Sequence, residues 1–96
     1  MKPSDLLATH RGAIRRIVAA HRASNPRVFG SVLHAEDTEA SDLDLLIDPT
    51  EATTLFDIGA IMGELKDLLG IPVDVVTPRA LPEKWRSRVL AEAQPV

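Results

Sequence analysis

"FGSVLHAEDTEASDLDLLID", running from Phe29 to Asp48, decides how the rest of the chain is read. Its second half is a leucine and isoleucine run with the look of a buried strand, yet Asp42, Asp44 and Asp48 interrupt it. Aspartate is among the residues least suited to a sheet, and burying an unpaired carboxylate costs several kcal/mol unless a cation or a proton compensates. Strand side chains alternate between faces. Asp42 and Asp44 therefore share one face, while Leu43, Leu45 and Ile47 share the other. Adjacent carboxylates repel, and a divalent cation is the direct remedy. Hard oxygen ligands of this kind suit Mg²⁺ or Mn²⁺ rather than zinc.

The segment before these acids and a later strand complete the pattern. Gly30-Ser31 sits where a strand ending at Gly30 gives way to a short helix expected from Ser31. Glycine lets backbone approach a phosphate, a helix N-terminus offers free N–H groups, and the Ser31 hydroxyl adds a donor. In "IPVDVVT", Ile71 to Thr77, Asp74 is the only charge on a strand that should pair within the same sheet. Three carboxylates on two neighbouring strands can hold two metals, an arrangement that serves in-line phosphoryl or nucleotidyl displacement. A calcium loop starting at Asp42 is excluded. It would need glycine where Ile47 stands and glutamate where Thr53 stands.

Around this centre the chain alternates helices and strands. Leu7, Ile14, Ile17 and Val18 lie close to one helical stripe from Asp5 to about Ala23, with Ser4 as the N-cap. "NPRVFG" and "DLDLLI" read as strands, the second stopped by Pro49. Leu55, Ile58, Met62, Leu65 and Leu69 recur by three and four, the spacing of an amphipathic helix, and Gly70 is placed to end it. "IPVDVV" forms the next strand and "LPEKWRSRVLAEA" a last helix. So many elements in so short a chain predict an α/β (α+β) fold, a small mixed sheet with flanking helices, as one domain over 1–96.

Composition bounds the function. At 96 residues, 45% of them hydrophobic, the chain has one modest core and is not a disordered segment. No apolar run nears the roughly 20 residues that cross a bilayer, and early charges in "MKPSDLLATHRGAIRRI" argue against a signal peptide. The absence of cysteine fits a reducing cytoplasm and excludes thiolate metal sites. The net charge of −3 conceals blocks: Lys2, Arg11, Arg15, Arg16, Arg22 and Arg27 at the start, mostly acids in the middle, and Arg79, Lys84, Arg86 and Arg88 near the end. An acidic chain is a poor general binder of nucleic acid, where phosphate neutralisation dominates affinity.

The spacing Gly30-Ser31, ten residues, Asp42-Leu43-Asp44, together with "GIPVDVVTPRAL", resembles the signature of minimal nucleotidyltransferases of the DNA polymerase beta superfamily. The resemblance spans about Asn25 to the last residue, and members this short resemble the antitoxins of HEPN/MNT toxin–antitoxin pairs. It implies the polymerase beta-like fold, a metal-dependent enzyme, and transfer of AMP from ATP to a hydroxyl, expected to be a tyrosine, of a cognate HEPN ribonuclease toxin. It further implies that Asp42, Asp44 and Asp74 bind the metals, with Asp74 helping to activate the attacking hydroxyl. Gly30 and Ser31 would hold the β- and γ-phosphates. Many relatives carry arginine three residues after the serine and glycine next, where this chain has His34 and Ala35. His34 can still meet phosphate when protonated.

Two other readings stand beside this one: a non-catalytic antitoxin that acts by binding alone, and nucleotidyl transfer to RNA. The acidic charge, and the lack of room for a domain that grips RNA, count against the second. With no such domain, the acceptor is expected to bring its own binding surface, as a folded partner in a hetero-oligomer would. Among weaker candidates, His10 and His21 have no third ligand in view and read as solvated. Trp85 reads as core packing beneath the last helix with Val89, or else as a partner anchor. Arg15, Arg16 and the basic last helix offer cationic faces to an acidic protein or an RNA.

Overall fold

The computed structural model describes all residues, 1–96. Helix α1 spans Pro3–Ala20. It begins earlier than Ser4 as N-cap implies, because proline at a first helical position has the right φ and no N–H to leave unpaired. The cap residue is Lys2, and the Ser4 backbone N–H donates instead to Asp37 Oδ2 at 2.9 Å. The helix also stops short of Ala23. Arg22 takes φ 62, a left-handed turn that sends the chain directly into strand β1, Ala23–Phe29.

Strand β2 spans Leu43–Pro49 and helix α2 Leu55–Leu69. Thr54 and Asp57 cap α2 reciprocally: the Asp57 N–H donates to the Thr54 hydroxyl at 3.2 Å, and the Thr54 N–H donates to Asp57 at 2.9 Å. Gly70 ends the helix as expected, at φ 69, with its N–H on the Lys66 carbonyl at 2.8 Å. Strand β3 covers Val73–Val76; a single 3₁₀ turn at Pro78–Ala80 precedes helix α3, Glu83–Glu92. A final strand β4, Gln94–Pro95, was not foreseen, since two residues carry no periodic signal.

The four strands order β3-β2-β1-β4, with β2 and β3 parallel and the other pairs antiparallel. This is the small mixed sheet with flanking helices that the alternation predicts. One face is sealed by α1 and α2. Leu7, Ile14 and Val18 of α1 and Ile61, Leu65 and Leu69 of α2 join Val28, Leu43, Leu45, Ile47, Val73 and Val75 of the sheet in one core. The α2 stripe differs at its start: Leu55 is 85% exposed and its neighbour Phe56 is 89% exposed. At the first turn the face towards the sheet is taken by Asp57, buried as a cap. Leu55 lies off the line that Ile61, Leu65 and Leu69 define.

The opposite face carries Asp44, Leu46 and Asp48 of β2 beside Phe29 and Arg27 of β1. Leu46 is fully buried there, where the 3₁₀ turn packs on β2.

Candidate functional site

The parallel register pairs Asp44 of β2 with Asp74 of β3, and on its other side Asp44 faces Phe29 of β1. Asp44, Asp74 and Phe29 thus form one row across three strands, two of its members acidic. Asp42 lies one residue before β2 begins, exposed, rather than on the strand itself. It remains close enough to act on Asp44. Burial, then the charge of Asp74, then that of Asp42 push the Asp44 carboxyl above the usual carboxylate range. None of the three acids has a salt bridge to a basic side chain. Asp48 stands apart, held by Arg27 and by the Asn25 amide at 2.9 Å.

Gly30 closes on this row. Its φ of 75 is left-handed, and a Cβ built there would stand 2.4 Å from Asp44 Oδ2. Any side chain at position 30 would collide with the acid, so glycine is required twice over, for conformation and for space. After Gly30 the chain forms a turn rather than the expected helix: the His34 N–H reaches the Gly30 carbonyl at 3.2 Å and the Glu36 N–H reaches the Ser31 carbonyl at 2.9 Å. Ala35 takes φ 56, which breaks the helical path after one turn. The Ser31, Val32 and Leu33 N–H groups nevertheless bond to no other part of the chain, and successive free backbone donors of this kind can accept an anion.

His34 leaves this turn towards α3. Its Nε2 lies 3.3 Å from Glu92 Oε2, and the other oxygen of Glu92 accepts from Arg88 Nε at 3.3 Å. A cleft of about 210 Å³ lies here, lined by Phe29, Gly30, His34, Trp85, Arg88 and Glu92. Trp85 is 54% exposed in it, so core packing is not its role: α3 buries no residue fully and instead forms a wall. His10 sits at a kink in α1 and His21 pairs with Glu64 across the α1–α2 groove, neither near the acids.

Asp37 was missed by sequence reasoning. Only 8% exposed, it accepts the Ser4 N–H, and that bond, with a further one from the Ser4 side chain, outweighs burial and holds its carboxyl below the usual range. It pins the loop between Gly30 and Asp42 to the start of α1. A lone aspartate in "AEDTEAS" carried no signal for that, because its partner is 33 residues away.

The donor set tests well for a hard cation: carboxylates only, uncompensated, with one half-buried. It is not a closed cage, since no three acidic or histidine side chains are drawn together tightly enough to hold an ion alone.

Residues 16–96 match the family model described as polymerase beta, nucleotidyltransferase. The chain is 34% identical over 77 residues to "Putative protein adenylyltransferase MJ0435" of Methanocaldococcus jannaschii, covering 80% of this chain and 83% of that one. It is 31% identical over 88 residues to protein adenylyltransferase MntA of Thermococcus cleftensis, covering 92% and 86%. Among solved structures, one described as a "putative minimal nucleotidyltransferase" superposes with TM-score 0.86 at 42% identity over 97% of this chain and 95% of its own. A toxin–antitoxin complex with AMP-PNP shares the fold at TM-score 0.70 and 14% identity, over 97% of this chain and 71% of its own. With a family match over most of its length and relatives above 30% identity, this chain belongs to the polymerase beta nucleotidyltransferase family.

Proposed function

We propose that this protein is an antitoxin that transfers AMP from ATP to a side-chain hydroxyl, a tyrosine by preference, of a cognate HEPN-type toxin. The observation that carries this reading is the register pairing of Asp44 with Asp74 beside the Gly30 turn, with no base to neutralise either acid. A turn with free N–H groups next to uncompensated carboxylates supports this reading, because a triphosphate with its metal requires both. The protein-adenylyltransferase names of its relatives support the same reaction.

Asp44 and Asp74 would hold the ion, with Asp42 at the edge. Mg²⁺ is commonly bound by one or two carboxylates plus substrate phosphates, so an open protein site suits it better than a cage. When bound, such an ion supplies charge stabilisation for the phosphoryl oxygens and lowers the cost of ionising the acceptor hydroxyl. The Ser31, Val32 and Leu33 N–H groups and the Ser31 hydroxyl would receive the β- and γ-phosphates. The acceptor oxygen attacks the α-phosphorus; the bond from that phosphorus to the bridging oxygen breaks, and pyrophosphate leaves. Asp74, exposed at the edge of the row, would take the hydroxyl proton. Its exposure also matters for access, because the acceptor hydroxyl arrives on a folded protein.

The test is intact-mass analysis of the cognate toxin incubated with this protein and Mg-ATP. The expected result is a covalent AMP on the toxin, absent with EDTA. An unmodified toxin under both conditions would overturn the reading.

A further inference from the structure

We infer that Arg88 of α3, with His34, forms the seat of the nucleotide's terminal phosphates, and that Glu92 occupies this seat in the free protein as an internal stand-in for phosphate. This rests on the nucleotide-transfer reading above and assigns to it a residue from an element that the sequence motif does not include. Glu92 accepts from Arg88 Nε at 3.3 Å through one carboxylate oxygen and places the other 3.3 Å from His34 Nε2. A carboxylate bridging an imidazole and a guanidinium reproduces the arrangement of two adjacent phosphate oxygens. The terminal guanidinium nitrogens of Arg88 have no other protein partner. They remain available for the paired bonds that arginine makes to phosphate.

Position supports the assignment. His34 and Gly30 belong to one turn, and both line the cleft of about 210 Å³ that Arg88 and Glu92 close from the α3 side. The free N–H groups of Ser31, Val32 and Leu33 belong to the same turn. Asp44 is flanked by Phe29 in register and by Gly30 in space, and both of these residues line the cleft that Arg88 also lines. Arg88 carries a permanent charge, whereas His34 carries one only when protonated, so Arg88 is the principal anchor. Glu92 would keep Arg88 and His34 from other anions until a phosphate displaces it.

Calorimetry with ATP, AMP and inorganic tripolyphosphate, each with Mg²⁺, separates the possibilities. Arg88→Ala is expected to weaken ATP and tripolyphosphate about tenfold, the scale of losing a charge-assisted bond at an exposed site, and to leave AMP unchanged. Glu92→Gln is expected to tighten ATP several-fold, because the competing carboxylate is gone. Arg88→Lys should fall between Arg88→Ala and the native protein. Equal ATP affinity in Arg88→Ala and the native protein overturns the inference, as does weaker ATP binding in Glu92→Gln. A matching loss for AMP in Arg88→Ala would assign Arg88 to the nucleoside or to the fold, also against it. If the native protein binds AMP but not ATP more tightly, the inference fails while the transfer reading stands; if it binds no nucleotide, the transfer reading fails first.

Discussion

A side chain at position 30 and the carboxylate of Asp44 exclude one another: a Cβ on Gly30 would lie 2.4 Å from Asp44 Oδ2. Two segments separated by a twelve-residue polar loop therefore meet at van der Waals limits, and the meeting point is where the Gly30 turn adjoins the acids. Gly30→Ala imposes two penalties. The left-handed φ costs an L-residue about 1–2 kcal/mol, and the methyl must drive the Asp44 carboxylate out of its row. The expected outcome is a lower melting temperature together with loss of Mg²⁺-dependent ATP binding by calorimetry. Native-like ATP affinity in a folded Gly30→Ala protein would show that Asp44 is free to move without consequence.

Asp44 faces Asp74 across parallel strands, a like-charge pair that destabilises a sheet. Its carboxyl titrates above the usual range because of burial and of Asp74 and Asp42. Between the unfolded value of 3.8 and the raised folded value, the folded state binds more protons, so stability falls as pH rises through that window. The penalty is fully present at neutral pH and absent below the unfolded value. Asp44→Asn is accordingly expected to melt higher than the native protein at pH 7 without metal, with the difference vanishing in acid. Paired melting curves across pH check this; a lower melting temperature for Asp44→Asn at pH 7 would mean that the acid has a structural hydrogen-bonding role.

Asp37 behaves in the opposite sense. Its carboxyl is held low by the Ser4 bonds, so its contribution is present above the unfolded value and is lost as pH falls through the lowered one. Asp37→Ala should lower the melting temperature at neutral pH and loosen the loop from Gly30 to Asp42, seen as faster amide exchange there. Exchange unchanged in that loop would detach Asp37 from the site.

Ala35 holds φ 56, a conformation that glycine adopts without strain. Ala35→Gly relieves about 1–2 kcal/mol of left-handed strain and loses about 0.5–1 kcal/mol through the freer unfolded chain. The net expectation is a rise of a few degrees in melting temperature. A fall would indicate that the Ala35 methyl packs against something worth more than the strain.

The parts of this molecule that were legible in the sequence are those set by local chemistry. Gly70 as a helix stop, the β2 alternation and the sharing of one sheet by Asp44 and Asp74 all follow from residue types and spacing. What was not legible depends on partners distant in the chain. Trp85 looked like core because tryptophan is large and apolar, but α3 lies over a cleft rather than over a layer. Leu55 fitted the helical period, yet the buried position at the first turn is taken by Asp57, the cap partner of Thr54. The Ser31 helix failed because Ala35 turns left-handed after one turn. Arg88 and Glu92 read as an ordinary i, i+4 surface pair, and only the fold brings them to His34, more than fifty residues earlier in the chain.

Catalysis and simple blocking predict different behaviour for one variant. Asp44→Ala combined with Asp74→Ala removes the acids that would hold the ion, and with them the stabilisation of charge at the α-phosphorus. It removes a repulsion rather than a bond, so the fold should persist, and with it any complex with the toxin. Cells carrying the toxin and this double variant are expected to lose protection even though the two proteins still co-purify. The toxin recovered from them should carry no AMP. The opposite result, full protection with an unmodified toxin, would establish binding as sufficient and leave the acids without a function in neutralisation. Protection lost together with complex formation would be a folding or docking defect, which the melting temperature of the isolated variant distinguishes. Covalent transfer adds one further mark: toxin modified by the native protein should stay inactive after that protein is removed, because a phosphodiester does not reverse on dilution as a complex does.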